Sequence, residues 1–416
     1  MTAGSLRAVT LASIIVLAGC ATTDQPPVAA VESRQGLCQT NGVVLDIDFP
    51  AGNVGSCQVT GSNAFTLTIT PEDAPPINCS AWYAFRLTPR AGNEAQKVSI
   101  SLDYEACGHR YWPKTSSDGN IWTRLSNKQL ELNYKLGSSE GTRLAPRATF
   151  KVDLEPGTPL FVAAQEILVP ATYDAWIERV SAADEVTAFE LGKSAEGRDI
   201  PALSIVALGQ EPKEQVVLVG RQHPPEITGA LAMFPFVETL LADTPLARKY
   251  RARFATTVVP MLNPDGVVRG YWRHNTGSTD LNRDWGPFKQ PETRLMDRLL
   301  KDMAADPDRE LSFFADFHST QRDIFYTIPD EFPTRPKLFI KRWLGLLETR
   351  MPDFEVRRSV NKNLSQANSK NYVYRTYGVP TVTYEMGDET DRELIRKVAQ
   401  EAAVAMMETL LAPEPE

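Results

Sequence analysis

The sequence predicts an α/β domain, a mixed sheet with helices on both faces, preceded by an antiparallel β-sandwich domain. Three observations carry that prediction. Residues before about 168 fall into short alternating runs punctuated by Gly, Pro, Asn and Asp. Residues after it alternate apolar strands with segments of helical periodicity. Apart from Cys20, all the cysteines (Cys38, Cys57, Cys79 and Cys107) lie in the first third. With 416 residues and 42% hydrophobic content, the chain is ample for two packed cores. The division this implies is a leader over 1–19, a tether over 20–35, the sandwich over 36–167 and the α/β domain over 168–412.

The leader has one charge, Arg7, ahead of a short apolar stretch from Leu11 to Leu17. That is too short for a membrane-spanning helix and reads as a secretory signal. Leu17-Ala18-Gly19-Cys20 looks like a bacterial lipobox, so Cys20 is the expected lipidation site. More than one acyl chain gives stable anchoring. Ala21 after it favours the outer membrane, facing the periplasm. In that oxidising compartment the four later cysteines read as two disulfides within one domain. Their spacing leaves three pairings open; Cys38–Cys57 with Cys79–Cys107 is preferred only for its shorter loops.

The sandwich strands are expected at Val43–Phe49, Ala64–Thr70, Ala81–Leu87, Lys97–Tyr104, Asn120–Leu125, Leu130–Leu136, Thr149–Leu154 and Leu160–Glu166. In the α/β domain, strands are expected at Val216–Gly220, Phe254–Leu262, Leu311–Phe317 and Thr381–Tyr384. Helices are expected at Thr228–Leu241, Glu292–Met303, Lys337–Arg350 and Arg392–Leu411. Pro224-Pro225 suits a helix entrance. Active residues in such sheets gather at the carboxyl ends of strands, and His223, His318 and Glu385 are each placed just after one. The formal net charge is −8, one unit more negative without Arg7, and no basic stripe is visible. Nucleic acid is therefore not an expected partner.

Only four histidines exist: His109, His223, His274 and His318. A catalytic zinc ion takes three nitrogen or oxygen ligands and keeps an open position for water. His223-Pro-Pro-Glu226 can offer two ligands from one turn after a buried strand, and His318 a third from the end of another. One zinc per chain is expected. Taken singly, His223 reads as a turn cap, Glu226 as a solvated acid and His318 as a core histidine. The flanks favour the metal: Leu191-Gly-Lys-Ser-Ala-Glu-Gly-Arg198, Asn263-Pro-Asp-Gly266, Arg273 in Gly270-Tyr-Trp-Arg273, Asp280-Leu-Asn282-Arg283, and Glu385 in Tyr384-Glu385-Met386.

In this order the set resembles the zinc carboxypeptidases of the M14 type over about 190–390. It is most similar to the cytosolic carboxypeptidase branch and its bacterial relatives, which place a β-sandwich first. Phe49-Pro-Ala-Gly-Asn53, Trp82-Tyr-Ala-Phe-Arg86 and Ile121-Trp122-Thr-Arg124 resemble that branch's sandwich segments. The resemblance implies a peptide substrate with a free C-terminal carboxylate. It implies Glu385 as general base and Arg273 as oxyanion stabiliser, with Asn282 and Arg283 gripping the terminal carboxylate and Arg198 guiding it. Asp280 would orient His223, and Asn263-Pro-Asp-Gly266 serves as scaffold.

The chain departs from that family in two places. The family's mobile tyrosine would fall near Lys362-Asn-Leu364, where none stands; either Tyr372 or Tyr374 substitutes for it or the role is absent. The position that sets side-chain preference falls near Lys370-Asn371. A lysine there favours an acidic terminal residue, and a solvated loop lysine is the ordinary alternative. Two further functions compete with the peptidase: a zinc amidohydrolase acting on N-acyl amino acids, and a periplasmic binding protein using its sandwich beside a relic metal site. Glu385 together with Arg273 argues against a relic.

Overall fold

Alternation of buried and exposed side chains builds the first half of the molecule. The computed structural model describes Met1 and residues 37–74, 78–90, 94–106, 108–133 and 145–414. The leader, Cys20, the tether and Cys107 lie outside the described residues. Residues Gly36–Glu416 form one unit. In Ala64–Ile69, Gln96–Tyr104 and Arg147–Leu154 every second residue is buried, the two-residue period of a strand with one wet face. The inward residues Phe65, Leu67, Val98, Ile100, Leu102, Phe150 and Val152 join a core with Leu45, Tyr83, Phe85 and Leu87 from a second sheet. One sheet runs in the order Cys38–Gln39, Val43–Asp46, Ala84–Pro89, Leu160–Ala163, Lys114–Ser116 and Thr123–Arg124. The other runs Ser56–Gly61, Ala64–Ile69, Gln96–Tyr104, Arg147–Leu154 and Leu130–Asn133.

The antiparallel expectation holds with one exception. Ala64–Ile69 pairs in parallel with Gln96–Tyr104, because between them the chain crosses to the other sheet as Ala84–Pro89. The strand expected at Asn120–Leu125 shrinks to Thr123–Arg124. Asp118 Oδ1 accepts the N–H groups of Asn120 and Ile121, both at 2.8 Å, and holds that stretch in a turn. Ser56–Gly61 was not expected, since its mostly exposed residues offer no apolar alternation.

The second half is an eight-stranded mixed sheet ordered Val186–Lys193, Asp199–Ile205, Phe254–Val259, Glu214–Gly220, Glu310–Thr320, Thr381–Gly387, Ile324–Thr327 and Arg358–Val360. Its four central strands are parallel. They are buried along most of their length and rich in apolar residues because helices cover both faces. One face packs Phe317 and Tyr384 against Phe236, Trp343 and Met406 from the helices Ile227–Leu240, Phe339–Arg350 and Arg392–Leu411. The other packs Val217, Val219 and Phe314 against Trp285, Met296 and Val373. Each large side chain so buried contributes about 1.5–3 kcal/mol.

Two local expectations change. Glu310–Thr320 and Thr381–Gly387 stay paired to Thr320 and Gly387, so His318 and Glu385 lie inside their strands near the carboxyl ends, not after them. Pro224 and Pro225 precede the helix, which starts at Ile227 with Glu226 at its N-cap.

A disulfide joins Cys38 to Cys57 with Cα atoms 5.9 Å apart, tying one sandwich sheet to the other. Cys79 is also disulfide-bonded. The Cys38–Cys57 loop spans a sequence separation of 19, which corresponds to roughly 3 kcal/mol in the chain-entropy model. The double variant Cys38→Ser/Cys57→Ser should lose stability of about that size in denaturant unfolding. An unchanged midpoint would mean that this bond does not constrain the unfolded chain.

Candidate active site

The site is assembled by the loop after Glu214–Gly220. Arg221 there takes a left-handed backbone (φ 51°). Its guanidinium bonds the Tyr173 hydroxyl at 2.9 Å and the carbonyls of Pro224 and Leu168 at 2.6 and 3.2 Å. Those contacts fix a turn that would otherwise be strained, and the turn delivers His223 and Glu226. The helix that follows comes very close to the strand carrying His318. A Cβ on Gly229 would lie 2.5 Å from the His318 carbonyl oxygen. Gly229 N–H instead donates to Ser319 Oγ at 2.8 Å, locking helix to strand.

His223, Glu226 and His318 converge. His223 Nδ1 lies 2.8 Å from Glu226 Oε1, and His318 Nδ1 lies 2.6 Å from Glu226 Oε2. One ligand atom from each falls within 4.8 Å of the others, and all three residues are buried. The outer nitrogens are anchored: His223 Nε2 to Asp280 Oδ1 and His318 Nε2 to Asp316 Oδ2, each at 2.9 Å. With Nε2–H given to a carboxylate, each Nδ1 lone pair points at the common centre. Asp280, expected to orient His223, lies within hydrogen-bond distance of its outer nitrogen. Asp316 was missed, although two residues before His318 in a strand means the same face.

The charge balance calls for a cation. The buried carboxylates of Glu226, Asp280 and Asp316 crowd around two imidazoles. Burial opposes ionisation of His318, yet Asp316 and Glu226 outweigh it and raise its pKa well above the ordinary value. Against its own burial, Glu226 is held well below the carboxylate range by the two histidines. Two imidazole nitrogens and a carboxylate, each with a partner behind it, fit a zinc ion and leave a fourth position for water.

Glu385 stands directly opposite His318 in the ladder and shares its face of the sheet. Its Oε2 is out of water and has no partner among the described residues. Burial, and then the charge of Glu226, push its carboxyl up to about 7. Arg273 Nε donates to Asp280 Oδ2 at 2.8 Å, so Asp280 joins Arg273 to His223. Asn282 is buried, its Oδ1 accepting Ser369 N–H at 2.9 Å and its Nδ2 3.3 Å from His318 Nε2. Arg283 Nη1 donates to the Asn282 carbonyl at 2.6 Å. With the Gln366 amide turned to accept, Arg283 Nε and Nη2 lie 3.2 and 3.1 Å from its oxygen.

Arg198 is placed differently from these. It pairs with Glu196 and, at 2.8 Å, with the fully buried Asp265. Asp265 belongs to the Asn263-Pro-Asp-Gly266 segment, where Asn263 caps a short helix by accepting Gly266 N–H. The scaffold role expected of that segment is what the structure shows.

Neither expected tyrosine points at Glu385. Tyr372 donates to Asp297 Oδ1 at 3.0 Å, and Tyr374 stacks on Phe332. The tyrosine that shares a face with Glu385 is Tyr326, opposite Thr383 in the neighbouring strand and two residues along. Nothing in its sequence context marks it. Lys370 is not a solvated loop lysine; it is buried, with its Nζ bonded to Asn371 Oδ1 at 2.8 Å, and burial lowers its pKa to about 8.

The sandwich also reaches the site, which the sequence did not reveal. Glu72 Oε1 accepts the N–H groups of Arg273 and His274 at 2.7 and 3.0 Å. Asp73 faces His274 Nδ1 at 2.7 Å, and Arg110 bonds Asp388.

The close approach at Gly229 generates a test. Gly229→Ala should push the helix off the His318 strand, costing about 1–3 kcal/mol of overpacking and loosening the Glu226–His318 distance. Retained metal should fall at least tenfold on dialysis against a weak chelator, a loss in the range seen when a ligand's support is removed. Metal content and melting temperature equal to wild type would show that the close approach is not needed.

Comparison with known proteins places this geometry. Residues 173–403 match the zinc carboxypeptidase family model, and residues 45–144 match the cytosolic carboxypeptidase N-terminal domain. Cytosolic carboxypeptidase 6 of Homo sapiens is 31% identical over 295 residues, spanning 67% of this chain and 57% of that protein. The Mus musculus protein of the same name is 32% identical over 138 residues, 31% of this chain and 25% of that one. The chain thus spans at most a little over half the length of these relatives. Among solved structures, a metallo-carboxypeptidase from Burkholderia cenocepacia superposes with a TM-score of 0.73 at 19% identity, covering 88% of this chain and 99% of that one. A metallo-carboxypeptidase from Pseudomonas aeruginosa, in complex with (2-guanidinoethylmercapto)succinic acid, gives 0.69 at 20% identity, with 88% and 98% covered. These two share the fold. With the family match spanning more than half of the residues and enclosing the ligand cluster, the chain belongs to the zinc carboxypeptidase family.

Proposed function

We propose that this protein is a zinc metallocarboxypeptidase that hydrolyses the last peptide bond of substrates with a free C-terminal carboxylate. The observation that carries the reading is the convergence of His223 Nδ1, Glu226 and His318 Nδ1 one ladder position from a partnerless Glu385 oxygen. Zinc held by those three residues would lower the pKa of a water in the open position towards neutrality and polarise the scissile carbonyl. Glu385 is the acceptor for that water's proton and the donor that returns it to the leaving amine; a carboxyl raised towards 7 suits both tasks. Arg273, held by Asp280 through Nε, turns its remaining donors to the oxyanion. Arg283 carries the planar fork for the terminal carboxylate, in exchange for its contact with Gln366. Asn282 supports it from the Ser369 side, and Arg198 contributes a positive charge fixed by Asp265.

Lys370 supports an acidic preference. Among the described residues its ammonium has only a neutral amide partner and no carboxylate, so a substrate's side-chain carboxylate would satisfy it. The site of action proposed is the periplasm, with the chain anchored through acylated Cys20. The leader's composition supports this, as do disulfides at Cys38, Cys57 and Cys79.

A substrate panel tests the chemistry. Glu385→Gln should keep one zinc per chain and lose at least the roughly 10²–10⁴-fold that general acid–base catalysis supplies. Arg283→Ala should raise KM for free peptides while leaving poorly cleaved amidated ones almost unchanged. Lys370→Met should shift preference from terminal Glu or Asp towards apolar residues. Equal hydrolysis of free and amidated peptides by the wild type would rule out a carboxypeptidase. For localisation, palmitate should label the wild type and not Cys20→Ser; a labelled Cys20→Ser protein would remove the anchor assignment.

A further inference from the structure

Arg110 comes from the sandwich, in sequence far from the catalytic strands, and its side chain is only 14% exposed. Its Nε and Nη2 grip both oxygens of Asp388, at 2.8 and 3.1 Å, and Nη2 also lies 3.4 Å from the Ser319 carbonyl. Ser319 follows the ligand His318, and Asp388 lies three residues past Glu385. One guanidinium thus spans the ends of the two strands that present a metal ligand and the general base. Asp388 is held from other sides as well: its N–H donates to Thr320 O at 2.7 Å, and its carbonyl accepts from Gln165 Nε2 at 3.0 Å and Arg392 at 3.1 Å. Arg110 packs over the Tyr111 ring, 4.9 Å from its centroid, so the fork cannot swing away freely. Its positive charge acts on Glu385 and Glu226.

A bidentate Arg–carboxylate pair fixes direction as well as distance. A purely structural tie between domains would need neither the Ser319 contact nor a location at these strand ends. Lys114 provides the contrast: it pairs with the part-exposed Glu389 at 3.3 Å and touches neither strand end. We propose that Arg110 is a positioning residue for hydrolysis, the means by which the sandwich domain holds Glu385 in register with the zinc-bearing strand. Resting on the carboxypeptidase reading above, this inference adds the sandwich to the catalytic machinery.

The test compares Arg110→Ala, Arg110→Lys and Lys114→Met in the full chain, measuring kcat and KM on a free-carboxylate peptide, zinc per chain and melting temperature. Arg110→Ala should keep zinc and KM within about twofold while kcat falls between tenfold and a hundredfold, the scale of a misplaced catalytic group. Millimolar guanidinium chloride should restore part of that kcat, and Arg110→Lys should retain an intermediate value. Lys114→Met should lower the melting temperature with kcat preserved. If Arg110→Ala does not fold, Arg110→Lys is decisive: reduced kcat at unchanged KM and zinc supports the role. Wild-type kcat in either folded variant, or a kcat loss that follows zinc loss, overturns it. A wild type without activity on any free peptide rejects the hydrolase reading itself; an inactive Glu385→Gln beside a fully active Arg110→Ala rejects only the role of Arg110.

Discussion

Glu226 set between two inward-facing imidazole nitrogens is the arrangement on which the rest of this structure depends. A buried carboxylate between two histidines is costly unless each ring is oriented from behind, and both are: His223 by Asp280, His318 by Asp316. Those two aspartates need partners in turn. Arg273 and the Asn282 N–H serve Asp280; Gln222 and Ser369 serve Asp316. Arg273 and Asn282, to which the proposed mechanism gives roles, thus also satisfy the aspartate behind His223. Positioning and electrostatics are supplied by the same hydrogen bonds.

The sheet supplies the precision. His318 and Glu385 sit in adjacent, hydrogen-bonded strands, so their separation is set by the ladder rather than by a loop. The opposite face of those strands is filled by Phe317 and Tyr384, whose rings stack 4.9 Å apart over Phe236. Alternation along a strand therefore puts apolar anchoring and polar chemistry on successive residues: Phe317 then His318, Tyr384 then Glu385. Changing one disturbs the other.

The sandwich is more than a neighbour. Its edge gives Glu72 to the Arg273 backbone and Asp73 to His274, and Asn53 Nδ2 donates to the Gly270 carbonyl at 2.8 Å. Trp82, within the motif read from sequence, bonds the carbonyl of Ala51, and Ala51 N–H donates to Val268 O at 2.9 Å. The loop carrying Arg273 is thereby braced from a domain that contributes none of His223, Glu226 and His318.

Local signals in the chain determined a great deal. The spacing of His223 and Glu226, with the isolated His318, pointed to a cluster that the structure brings together, and Glu385, singled out through the family resemblance, stands beside it in the ladder. Helical periodicity over Arg392–Leu411 gave the last helix with its observed bounds. Those features are legible because period and residue chemistry are written in consecutive positions. What only the tertiary structure decided depends on residues that have no spacing relation to one another. The burial of Lys370, the diversion of Tyr372 to Asp297, the fastening of Arg198 to Asp265, and the reach of Glu72 and Arg110 across the domain junction are of this kind. Each arises from packing of distant segments, where the partner of a charge is chosen by which surfaces meet. The linear order of residues carries no period from which that choice could be read.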